Sequence, residues 1–166
     1  MYVIDHDRQI SLISEMTQLR KDSESWEVYY HHPTTNAMWK SYFPKANGKK
    51  RGPKILRTEP VPDRLEDRFE NCLVEPETEN AIGLGIELST TPGIWQAVIE
   101  ILENNYRRYD RKQLKLFLKQ LGVENYDTKL DEINGDVKDL DLTEEELKKM
   151  SRRAKIIRFK RFWSFS

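Results

Sequence analysis

Between Thr91 and Gly122 the chain carries its most regular alternation of apolar and polar positions. Ile94, Val98, Ile101 and Leu102 recur at helical spacing, Trp95, Ile99 and Tyr106 widen the apolar arc, and Gln96, Glu100, Glu103 and Arg107 form the polar stripe. Thr91-Pro92 reads as the opening of this helix, a hydroxyl cap followed by proline at the first helical position. A second helix opens at Asp110, with Gln113 in the capping-box position, and stops at Gly122. Its apolar face is Leu114, Phe117, Leu118 and Leu121; its wet face is Lys112, Lys115 and Lys119. The short Arg107-Arg108-Tyr109 link predicts that the two helices lie antiparallel.

The same reading extends to the rest of the chain. Ile4 to Arg20 has the spacing of an amphipathic helix through Ile10, Leu12, Ile13, Met16 and Leu19, with Asp7 as its cap and Lys21 to Ser25 as a polar connector. From Trp26 the pattern changes. Glu27 to His32 is rich in β-formers, Pro33-Thr34-Thr35-Asn36 is a turn cluster, and Met38 to Phe43 reads as the returning strand. Ile55 to Arg57 predicts a third short strand before Pro60 and Pro62. Asp63 opens a helix through Leu65, Phe69, Cys72 and Leu73. Pro76 to Leu88 fits both periods; the Glu75-Pro76-Glu77 opening favours helix, with Gly83 and Gly85 allowing a neighbouring helix to come close. Thr143 and Glu146 form a capping box for a last helix with Leu147, Met150, Ala154 and Ile157 inward. The tail from Ile156 to Phe165 reads either as a final strand docked on the domain or as a basic amphipathic segment.

Together these elements predict an α+β, mainly α fold, with helical hairpins packed on a small antiparallel β-hairpin or sheet. One domain is expected over residues 1–166. Its parts are an N-terminal helix (1–25), a β-hairpin region (26–58), helical hairpins (63–122), an acidic connector (123–143), and a basic C-terminal helix and tail (144–166).

Charge changes this picture through its distribution. The chain has 28 basic and 28 acidic residues, yet positive charge gathers at Lys45–Lys54 and Lys148–Arg161 and negative charge at Glu124–Glu146, which points to electrostatic partners. With 37% hydrophobic residues and a mean hydropathy of −0.78, no apolar run approaches the ~20 residues of a membrane span. Met1 to Arg8 lacks a signal pattern, so a cytoplasmic location is expected.

Candidate chemistry is sparse. The lone Cys72 reads as a small apolar helix residue. His31 and His32, with His6, suggest a metal site, but adjacent strand residues point to opposite faces. Asn134-Gly135-Asp136 reads as a tight turn without calcium-loop spacing. The Gly83/Gly85 pair lacks the strand and third glycine of a nucleotide fingerprint. Ala46 to Lys54, with Lys49, Lys50 and Arg51, reads as a solvated basic loop. No catalytic motif is present in the sequence, so no enzyme, cofactor or metal is expected.

Trp26-x-x-Tyr29-Tyr30, the Pro-Thr-Thr-Asn turn, Trp39-x-x-Tyr42-Phe43-Pro44 and Lys54-Ile55-Leu56-Arg57, followed by helical hairpins, resemble bacterial immunity proteins paired with polymorphic or contact-dependent toxins. The similarity covers about Trp26 to Gly122. It implies a stoichiometric protein that binds and neutralises a cognate toxin, with no catalysis and no cofactor. A nuclease toxin has a basic surface, so the expected partner-binding residues are Asp127, Asp131, Glu132, Asp136, Asp139 and Asp141, with Tyr30, Trp39 and Tyr42 as aromatic anchors. The alternatives are a nucleic-acid-associated regulator using the basic loop and tail, and a helical adaptor for another protein.

Overall fold

The computed structural model describes residues 1–45, 51–128 and 142–163. Five strands form one antiparallel sheet: β1 (Tyr2–Val3), β2 (Thr17–Asp22), β3 (Glu27–His32), β4 (Ala37–Tyr42) and β5 (Ile55–Glu59), in the order β1-β5-β4-β3-β2. The expected hairpin is β3 and β4, paired Tyr30 to Trp39 and Val28 to Ser41. Its turn places Asn36 at φ 55°, a left-handed conformation that asparagine tolerates.

Six helices are described: α1 (His6–Ser14), α2 (Leu65–Leu73), α3 (Thr78–Ser89), α4 (Trp95–Asn105), α5 (Arg111–Leu121) and α6 (Glu144–Trp163). The fold is thus α+β, with helices packed on a small antiparallel sheet.

Alternation along the strands divides the sheet into two buried faces. Val3, Tyr30, Trp39 and Leu56 form a small cluster with Leu12, Ile13 and Met16, which places α1 over one face. Tyr2, Tyr42 and Ile55 point the other way, into a larger core with Phe69, Leu84, Trp95, Phe117 and Leu121.

The N-terminal region departs from the expected single helix over Ile4–Arg20. It is divided into β1, α1 and β2, and Asp5, not Asp7, caps α1 by accepting from the Arg8 N–H at 2.9 Å. Lys21 and Asp22 belong to β2 rather than to a connector. The cause is tertiary. Thr17–Asp22 takes its backbone hydrogen bonds from β3, while Ile10 and Leu19, which completed the helical period, are exposed. Gln9 is buried and its amide donates to the carbonyls of Val3 (2.9 Å) and Lys54 (3.0 Å), tying α1 to the sheet.

The central helices follow the sequence more closely. The segment that fitted both periods is helix, α3 running over Thr78–Ser89. A Cβ on Gly85 would lie 2.7 Å from Gln120 Cβ and 2.8 Å from the Phe117 carbonyl oxygen, so this glycine lets α3 and α5 touch. A Cβ on Gly83 would lie 2.5 Å from Tyr2 Cβ, so the second close neighbour is a strand residue rather than a helix.

Asp110 caps α5, and Gly122 ends it at φ 74°. Two capping details differ. Gln113 completes no capping box; it is fully buried, and its amide finds no hydrogen-bond partner among the described residues. Thr91 makes no side-chain cap bond, because Pro92–Ile94 forms a 3-10 turn before α4 begins at Trp95.

The last helix keeps its capping box. The Thr143 N–H donates to Glu146 at 2.7 Å, and the Glu146 N–H donates to Thr143 Oγ1 at 3.2 Å. Leu147, Met150, Ala154 and Ile157 are buried as expected. Arg153 holds α4 through two bonds to Glu103, at 2.9 and 2.6 Å. Among the described residues the tail forms no strand; helix continues to Trp163, and positions 164–166 lie outside the described residues.

Candidate functional site

Of the nine residues expected to meet a partner, four are described. Tyr30, Trp39 and Tyr42 are buried. The first two lie beneath α1 and the third faces the helical core, so these rings are packed inside the fold rather than offered to a partner. Asp127 is exposed. Asp131, Glu132, Asp136, Asp139 and Asp141 lie outside the described residues, as do the Asn134–Asp136 turn and the basic-loop positions 46–50.

His31 is hydrogen-bonded to Asn36 Oδ1 at 2.8 Å, whereas His32 is buried on the opposite side of the strand, 3.7 Å from Glu15. Among the described residues no group of three or more His, Cys, Asp or Glu is placed to hold a metal ion, and no helix is long and apolar enough to cross a membrane. Cys72 is buried, and burial pushes its thiol up to about 11.

Two charged constellations stand out. The first lies between the sheet and the helices. Glu87 on α3 accepts from Arg57 of β5 and Arg68 of α2, both at 2.5 Å, from Tyr2 at 3.1 Å, and from the Tyr42 hydroxyl. Arg57 also donates to Glu59 at 2.6 Å. Burial pushes the Glu87 carboxyl upward, but Arg68 and Arg57 outweigh it and hold its pKa below the usual carboxylate value. Burial, then Glu87, raises the pKa of Tyr2 and Tyr42. A carboxylate kept ionised by two guanidiniums is a poor proton acceptor, and its hydrogen bonds go to groups of the fold itself. This arrangement ties β1, β4 and β5 to α2 and α3.

The second lies on the surface, where the start of α5 meets the end of α6. A groove of about 920 Å³ runs between them. Six cations line it: Arg111, Lys112 and Lys115 from α5, and Lys155, Arg158 and Arg161 from α6. Leu114, Ile156, Phe159 and Phe162 complete the lining, which holds no carboxylate among the described residues.

Helix periodicity produces this surface. Lys112 and Lys115 are three residues apart, as are Lys155, Arg158 and Arg161, and as are Ile156, Phe159 and Phe162, so each set follows one side of its helix. Arg111 donates to the carbonyls of Arg161 (3.1 Å) and Phe162 (2.8 Å), and Arg161 donates to that of Tyr109 (3.0 Å), fixing the end of α6 beside α5. Asp110 is turned into the α5 cap, and Glu124 pairs with Arg158 at 3.1 Å.

Phe159, Phe162 and Trp163 are 62%, 69% and 55% exposed, a cluster of large rings left in solvent. The sequence signalled half of this site: the lysine face of α5 and the basic aromatic tail were both visible. Their meeting was not, because it depends on how α5 and α6 pack.

No family model matches the chain, and neither the curated proteins nor the solved structures compared with it give a match.

Proposed function

We propose that this protein is a non-catalytic binding module that holds a polyanion, a nucleic acid, in the groove between α5 and α6. The supporting observation is the lining itself: six cations with no carboxylate between them, of which Lys112, Lys115 and Lys155 make no ion pair with a described residue, beside exposed aromatic rings. Phosphate backbones draw affinity from such cation clusters, and the counterions they release make binding fall steeply with salt. No cofactor or metal enters this function, and it is assigned to the cytoplasm.

Neutralisation of a cognate bacterial toxin by stoichiometric binding is the second function, the one the immunity-protein resemblance implies. Phe162, Trp163 and Arg158 on one helix favour it, since exposed aromatic residues and arginine anchor protein interfaces. Asp127 and the acidic segment after it would then add a complementary face for a basic toxin.

Affinity capture from the source lysate, washed at low and at high salt, separates the two. Nucleic acid retained at low salt and released at high salt is expected for the groove. One protein held through the high-salt wash, with no nucleic acid at low salt, would replace it with toxin neutralisation.

A further inference from the structure

The geometry points to single-stranded nucleic acid as the ligand of the α5–α6 groove, with phosphates against Lys112, Lys115 and Lys155 and bases against Phe159, Phe162 and Trp163. This assignment rests on the polyanion-binding function above and narrows it to one form of nucleic acid.

The cations come first. Lys112, Lys115 and Lys155 are exposed and make no ion pair with a described residue, and they stand on both walls of the groove. They are therefore open to an incoming phosphate chain. A protein ligand fits this lining less well, because lysine is depleted at the centre of protein interfaces.

The rings then select the strandedness. Phe159 and Trp163 have centroids 5.7 Å apart at 45°, and Phe162 and Trp163 lie 5.8 Å apart at 78°. Neighbouring rings thus lie in different planes and present separate faces. An unpaired strand can splay its bases onto such faces, and each base that stacks adds affinity regardless of its identity. In a duplex the base faces are covered by their neighbours, leaving groove edges and phosphates for a protein to touch. Duplex would use the lysines and leave the rings in water.

Shape supports the same ligand. The site is a half-open groove between two helices, with its cations on both walls. A flexible strand can lie along such a groove and meet cations on both of its walls.

Fluorescence anisotropy of the full chain with a labelled oligothymidylate of about 12 nucleotides, within the site sizes of single-strand binders, tests the assignment against a duplex of equal length. The oligothymidylate is expected to bind more tightly than the duplex. With about three phosphates neutralised, its affinity should fall roughly 100-fold for a tenfold rise in salt. Substituting Phe159→Ala, Phe162→Ala and Trp163→Ala together should weaken the single strand by roughly tenfold or more and leave duplex binding and the melting curve in place.

Duplex binding as tight as the single strand, insensitive to loss of the rings, would overturn the single-strand assignment while leaving the polyanion function standing. Failure of both oligonucleotides to bind at low salt overturns both. Capture of phosphatidylserine vesicles in their place, lost with the rings, would make the ligand a lipid surface.

Discussion

The Glu87 constellation and the α5–α6 groove use the same charged side chains to opposite ends. Around Glu87, two arginines and two tyrosines converge on one carboxylate, and all of them belong to the fold. In the groove, Lys112, Lys115 and Lys155 line both walls and make no ion pair with a described residue. Charge of the first kind is structural, because desolvation is offset only while every partner stays in place. Charge of the second kind stays hydrated until something anionic arrives. Where counter-charge is internal the residues hold elements together; where it is missing they are open to a ligand.

This contrast has consequences that differ in size. The largest should follow Glu87→Gln, which leaves Arg68 without its carboxylate and Arg57 with Glu59 alone. Breaking a buried pair costs about 3 kcal/mol or more, so thermal unfolding should move down by roughly 10 °C. Oligonucleotide binding measured below that transition should be unchanged.

Reversing Lys112, Lys115 and Lys155 to glutamate should do the converse. Binding at low salt is expected to drop on the order of 100-fold, read by anisotropy, while the melting curve stays close to that of the parent protein. A smaller effect is expected from Gly85→Ala. The new methyl meets backbone of α5, and overpacking of this kind costs about 1–3 kcal/mol, measurable by denaturant titration.

The pH response adds a gentler test. Because the folded-state pKa of Glu87 is lowered, its contribution to stability is complete above its ordinary value of 4.5 and is lost as pH falls through the lower folded value. Stability of the parent should therefore decline in that acid range more steeply than that of Glu87→Gln, in melts recorded across it. Least affected of all should be Cys72. Buried and raised to about 11, its thiol is expected to react with an alkylating reagent only as fast as the protein opens.

Local chemistry made part of this legible in the sequence. Glu27 to His32, the Pro33–Asn36 turn and the returning strand form a hairpin because residue type and turn residues agree. Asp110, Gly122 and the Thr143–Glu146 pair mark helix ends by hydrogen bonds that lie within a few residues of one another.

What escaped the sequence depends on partners distant along the chain. Met16 and Leu19 keep a helical spacing, yet Thr17–Asp22 becomes a strand because β3 supplies its ladder. Tyr30 and Trp39 looked like exposed anchors because only α1 decides which face of the hairpin is covered. Arg57, Arg68 and Glu87 lie far apart in sequence, with nothing local to mark them as partners, and three elements bring them together. The groove escaped for the same reason: its lysines and rings were visible on α5 and in the tail, but their juxtaposition was not.

The most direct test of the account is the oligothymidylate binding isotherm of the variant carrying Lys112→Glu, Lys115→Glu and Lys155→Glu, taken at low salt on protein whose melting curve matches the parent. Loss of binding from a protein that melts normally is the expected result, and it would assign the unpaired charge to recognition. Parent-like affinity in that variant would contradict the account and remove the groove as the binding site.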